Sequence, residues 1–183
     1  MRVRFKALLC FTASLIFAGI LSGCSSSLNI EAMREKTPVS HGTLQVSEIA
    51  ETLVENTATS VSLVCLDSAS IPSYYSFNPE LVEDAAVYIS ANSSYSEEIA
   101  VFEMAEGKDE TEVLTAVNNR MLSKTRAFRD INPTEYDKLR NAVQVNISGY
   151  IVLAVTAHPE MAQSVITELF YGPVTTMATV KEE

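Results

Sequence analysis

The chain has no tryptophan, and only two histidines, three cysteines, six glycines and six prolines among its 183 residues. Each scarcity excludes something. Glycine and proline are too few for a collagen-like or low-complexity chain, and a composition 47% hydrophobic is far from that of a disordered one. His41 and His158 are the sole candidates for an imidazole base, and neither G-x-S-x-G nor S-x-x-K occurs. H-E-x-x-H, C-x-x-C, a calcium loop and a glycine-rich phosphate loop are missing as well. Lys and Arg number 13 against 23 Asp and Glu, a formal charge of −10, so there is no basic stripe for nucleic acid. The length suits one domain of ordinary size. The expectation is a non-enzymatic protein without metal, cofactor or nucleic-acid partner.

What is present begins at the N-terminus. Arg2, Arg4 and Lys6 precede an apolar run from Ala7 to Ile20, and Leu21-Ser22-Gly23-Cys24 follows. A run of this length falls short of the ~20 residues that span a bilayer, so it reads as a signal peptide over residues 1–23 rather than a permanent anchor. Leu-Ser-Gly-Cys is a lipobox pattern. Small Ser22 and Gly23 suit a narrow peptidase site, cleavage falls between Gly23 and Cys24, and the Cys24 thiol is the group that takes a diacylglyceryl unit. Buried CH₂ groups are worth ~0.8 kcal/mol each, so more than one chain gives stable anchoring. Loss of residues 1–23 removes three cations and no acid, which takes the formal charge from −10 to −13. Such a body is repelled by an anionic leaflet, and the lipid alone must hold it. The expected location is the extracytoplasmic face of the cell membrane.

Of the cysteines, Cys10 leaves with the signal and Cys24 carries lipid. Cys65 is left alone, without a disulfide partner. Its setting, Val61-Ser62-Leu63-Val64-Cys65-Leu66, predicts a small buried hydrophobe.

Residues 24–42 are mixed and polar and read as a tether; a single α+β domain is expected over 43–172 and a flexible tail over 173–183. Val46, Ile49, Ala50, Leu53 and Val54 mark one helical face, with Ser47 as a possible cap. Residues 57–73 fit a short strand or a buried loop equally well. Alternation around Val87 and Ile89, then around Ile99 and Val101, predicts two antiparallel strands. Asp109 with Glu112 three positions later announces a helix carrying Val113, Leu114, Val117, Met121 and Phe128. Lys124, Arg126 and Arg129 near its end suit the helix dipole. Asn132-Pro133-Thr134-Glu135 opens a short helix with Tyr136 and Leu139 inward. Val143, Val145 and Ile147 alternate, Ser148-Gly149 is a hairpin turn, and Tyr150–Val155 is apolar on both sides, as in a central strand. A last helix starts at Pro159, carries Met161, Ala162, Val165, Ile166 and Leu169, and stops at Gly172-Pro173. The sum is an α+β fold: a four-stranded antiparallel sheet in ββα-ββα order with helices packed on it, preceded by an N-terminal helix. If helices cover only the face bearing Val87 and Val101, then Tyr88, Phe102 and Met104 need the 46–54 helix or a partner to cover them.

With these elements placed, the chain resembles a bacterial lipoprotein family, the four-three-five-eight domain of unknown function. The resemblance rests on the lipobox at Leu21–Cys24, on Tyr74-Tyr75 before Val82–Ile89, and on Glu97-Glu98-Ile99-Ala100-Val101-Phe102. Phe128 before Asn132-Pro133 and Gly149-Tyr150-Ile151-Val152-Leu153 complete it. It spans roughly Leu44 to Phe170 and implies a surface lipoprotein. It brings no activity, substrate, cofactor or catalytic residue.

Two kinds of residue remain as functional leads. Tyr74, Tyr75, Phe77 and Tyr95 fall in or beside loops; exposed together they form a contact surface for an envelope protein or peptide, and buried they seal the core. Acids are the second. Glu103, Glu106, Asp109, Glu110 and Glu112 cluster around a turn and read as a solvated helix start rather than a calcium site. Glu97-Glu98 and Glu83-Asp84 are neighbours in strands, point to opposite faces and make poor acid/base pairs. The expected function is a lipid-anchored binding module at the envelope. A small hydrolase built on carboxylates or on Cys65 with His158, and a structural or assembly lipoprotein, are the alternatives.

Overall fold

The computed structural model describes residues 37–57 and 59–172. Gly23, Cys24 and the segments 1–36 and 173–183, with the signal, lipid, most of the tether and the tail assigned to them, lie outside the described residues.

Local signals account for most elements. Helix α1 is Val46–Asn56 and starts at Gln45 without a side-chain cap, so Ser47 does not have the capping role expected of it. Helix α3 is Thr111–Phe128. Asp109 accepts from the Thr111 backbone N–H at 2.9 Å and hydroxyl at 2.6 Å, while Glu112 turns away to accept from the Asn78 N–H at 2.7 Å. The acid cluster there is thus spread over separate jobs, and no group of three His, Cys, Asp or Glu able to hold a metal occurs among the described residues. Helix α4, Pro133–Arg140, is capped as expected, with Asn132 accepting from the Glu135 N–H. Strands β4, Val143–Ile147, and β5, Tyr150–Val155, meet at a turn where Ser148 (φ 51°) and Gly149 (φ 81°) are both left-handed. That turn matches the twist of the strands it joins. Helix α5, Pro159–Tyr171, ends at Gly172 (φ 74°).

Among the described residues the sheet has five strands rather than four. Strand β1, Leu63–Cys65, lies within the stretch whose structure the sequence left open. It pairs with the end of β2, Val82–Ser90, and the order is β1-β2-β3-β5-β4, antiparallel throughout, with β3 at Glu98–Met104. Three residues are too few to display a period of two. A short 3₁₀ turn, Ser68–Ser70, and helix α2, Ile71–Tyr75, follow β1. Cys65 is exposed rather than buried. Its strand is short and lies at the sheet margin, where among the described residues one flank has no neighbouring strand to cover it.

Both sheet faces are covered. Ala86 pairs with Val101 and Val87 with Ala100, so Val87 shares a face with Phe102 and Met104, not with Val101. That offset of one residue reverses the expected faces. Val87, Ala100, Phe102, Ile151 and Leu153 pack beneath Ile71 and Tyr75 of α2, Val113 and Val117 of α3 and Leu139 of α4. On the other side Ala86, Ile99, Val101, Val152 and Ala154 pack beneath α1 and α5. Phe102 and Met104 therefore need no partner. All six residues of β5 are buried, as its two-sided apolar pattern requires. The chain is already docked before residue 43: Val39 N–H donates to Phe170 O at 2.9 Å, and the His41 ring lies 2.9 Å from Met104 O.

Leu153 is fully buried and Gln144, its cross-strand neighbour, is exposed. Leu153→Ala is expected to cost ~2–5 kcal/mol in urea unfolding, and Gln144→Ala to stay within ~0.5 kcal/mol.

Candidate functional site

Ser96, Glu97 and Glu98, at the start of β3, are fully buried. An unpaired buried carboxylate is untenable, and each of these has partners. Arg120 Nε donates to Glu98 Oε1 at 2.5 Å and its Nη2 to Oε2 at 2.7 Å; Lys124 Nζ donates to Oε2 at 2.7 Å. The Tyr75 hydroxyl completes the set. Glu97 takes Lys138 Nζ at 2.8 Å and the Ser60 N–H at 3.0 Å. Glu135 takes the Ser96 N–H at 2.7 Å and hydroxyl at 2.8 Å, and Lys138 Nζ at 2.8 Å. Lys124 also donates to Ser96 O at 2.6 Å, which joins the two halves. Glu97, Glu98 and Glu135 thus face Arg120, Lys124 and Lys138, and among the described residues no buried side-chain nitrogen or oxygen lacks a partner.

The titration behaviour follows. Burial pushes the Glu98 carboxyl up, but the Arg120 hydrogen bonds and the Lys124 charge outweigh it and hold it below the ordinary 4.5. Burial lowers Lys124, and Glu98 only partly offsets that. Desolvation and the Glu98 charge drive Tyr75 well above 10.0. Glu135 is held below 4.5 because bonds from Lys138 and Ser96 exceed the cost of its burial.

The aromatic lead divides. Tyr75 and Phe77 are core residues, packed edge-on against Phe102, so they cannot line an exposed contact surface. Tyr74 and Tyr95 remain 37% and 38% exposed. Both border the charge array: the Arg120 guanidinium stacks 3.8 Å from the Tyr74 ring centroid, and Lys138 lies 6.0 Å from that of Tyr95. Sequence reasoning missed Glu97, Glu98, Arg120, Lys124, Glu135 and Lys138 as a unit. Lys124 turns to Glu98 rather than serving the helix dipole.

Through Tyr74 and Tyr75 the array grips α2, whose other residues wall a groove. Ile71, Pro72, Ser73, Ser76 and Phe77 line one side and Val82, Glu83, Asp84 and Ala85 of β2 the other, around about 750 Å³. Among the described residues no His, Cys, Lys or Arg lines it. Cys65 and His158 are not brought together. Cys65 sits in the same row as Tyr88, Ile99 and Ala154, so three strand spacings of ~4.8 Å separate it from β5, which leads to His158. His158 instead precedes α5, with its ring 3.3 Å from Glu160.

Fold and array together define a three-layer α+β domain stitched by buried ion pairs. The family model described as domain of unknown function (DUF4358) matches residues 56–156, and the chain belongs to that family. The match is narrower than Leu44–Phe170. It contains every residue of the array and the groove walls, and stops short of nearly all of α1 and of α5. No curated protein and no solved structure matches the chain.

Arg120→Met leaves buried Glu98 with Lys124 and Tyr75 but without its two guanidinium hydrogen bonds, so it is expected to destabilise by about 1.5–3 kcal/mol, and Arg120→Met with Glu98→Leu by less than the sum of the two single changes. Urea midpoints of the four proteins measure the coupling. Glu98 and Glu135 are depressed groups, so their contribution is complete above 4.5 and is lost as pH falls through their lower folded values. Stability measured by urea unfolding is expected to drop on that acid side, and Glu98→Gln to flatten the drop.

Proposed function

We propose that the protein is a lipid-anchored, extracytoplasmic binding module that uses its groove and performs no catalysis. The observation that carries this reading is the closure of the buried charges on one another. Acids and bases that a catalytic site would present to substrate are here spent on holding β3, α3, α4 and α2 together. The groove is left with apolar walls, hydroxyls and two carboxylates, a lining suited to holding a partner. The anchor rests on Leu21-Ser22-Gly23-Cys24 behind a cationic and apolar leader. No helix among the described residues is long and apolar enough to cross a membrane.

Two measurements bear on this. Cys24→Ala is expected to abolish labelling by tagged palmitate and to move the protein out of the membrane fraction; retained label overturns the anchor. A photocrosslinking residue at Ser73, on the groove, is expected to trap a partner in intact cells, whereas one at exposed Gln144 on β4 is not. Equal yields from the two positions would count against the groove.

A further inference from the structure

Strand β2 is nine residues long, but β1 covers only Tyr88, Ile89 and Ser90 of it, with Leu66 N–H reaching Val87 O at 2.8 Å. Among the described residues, the outer edge of β2 has no strand beside it from Val82 to Ala86. Alternation from Val87 turns the backbone of Ala85 to that same open side. The Ala85 N–H confirms it: its partner is the carboxylate of the preceding Asp84, at 2.8 Å, in place of a ladder carbonyl. A bulge between Val82 and Asp84 re-aims this part of the strand, and Glu83 and Asp84 are exposed. The groove runs along this free edge, opposite α2.

A free strand edge beside a partly apolar groove is the geometry of strand addition, in which backbone hydrogen bonds supply affinity and alternate side chains enter pockets. Charge decides what is added. Among the described residues, the titratable groups lining the groove are Glu83 and Asp84, and no cation lines it. A second copy paired edge to edge would set these acids against their own counterparts, and an anionic ligand would meet the same repulsion. Resting on the binding-module reading, we infer that the groove takes an extended, lysine- or arginine-bearing peptide segment as an added strand on β2. The basic side chains meet Glu83 and Asp84, and intervening apolar ones lie against Ala69, Pro72 and Val82. On binding, the Asp84 carboxylate exchanges the Ala85 N–H for the incoming ammonium or guanidinium, which frees that N–H for the peptide carbonyl.

The test is fluorescence anisotropy of the full chain in neutral detergent with a labelled hexapeptide of alternating lysine and valine. Binding is expected, at least tenfold weaker for the glutamate–valine peptide and falling with added salt. N-methylation of alternate amides, which leaves every charge in place, is expected to weaken binding at least tenfold when it falls on the β2-facing set. Glu83→Gln with Asp84→Asn is expected to do the same; both positions are exposed, and an unchanged urea midpoint shows that the fold survives. No binding of the lysine–valine peptide, indifference to N-methylation, or unchanged affinity in the double variant each overturns the proposal. If the peptide fails while the Ser73 crosslinker still traps a partner, strand addition falls and the binding module stands; if both fail, both fall.

Discussion

A fully buried carboxylate at the head of β3 is the constraint around which the rest is arranged. Removing Glu98 from water costs several kcal/mol, and attraction to cations recovers that only with close geometry and with the remaining lone pairs satisfied. Four donor groups meet the requirement: two from Arg120, one from Lys124 and one from Tyr75. Those residues come from α3 and α2, so satisfying one charge sets where two helices lie on the sheet. Glu97 and Glu135 extend the demand to α4 and to the segment after α1 through Lys138 and Ser60. Helix α2, with five residues, is too short to stand alone, and the array adds Tyr75–Glu98 and Tyr74–Arg120 bonds to the core packing of Ile71 and Tyr75.

The array therefore does its work at a distance from water. It fixes α2 from behind, by Tyr74 and Tyr75, while Ile71, Pro72 and Ser73 of the same helix face the groove. The tyrosine–carboxylate contact thus ties to β3 a helix that walls a recess which neither Tyr75 nor Glu98 lines. Glu97, Glu98 and Glu135 close on Arg120, Lys124 and Lys138, and none of the six lines the recess.

How far the sequence could be read depended on how local each signal was. The Asn132 cap, the Ser148-Gly149 turn, the two-sided apolar run of β5 and the Pro159 to Gly172 helix are all short-range and were legible. The relative faces of β2 and β3 depend on register across a loop, which neither strand states alone, and there the expectation slipped by one residue. Strand β1 was hidden by its brevity. The array was hidden for a different reason: charged residues read as solvated until a partner is known. A trace was available, since Arg120 and Lys124 lie three and seven residues after Val117 on the buried stripe of α3, and Glu135 and Lys138 flank Leu139 on that of α4. Charges on an apolar stripe call for opposite charges facing them. Tyr74 and Tyr95 stood out for their place in or beside loops, and their bearing on the cations became visible only in three dimensions.

Val39 and Phe170 are joined by a backbone hydrogen bond, and both belong to the layer formed by α1 and α5. The two ends of the domain are therefore side by side, on the face of the sheet away from α2. A mechanical load applied between them would peel this outer layer first. The ladders of the sheet and the ion pairs at the head of β3 would feel tension only after that layer had yielded, so the recess could keep its shape while the body is tugged.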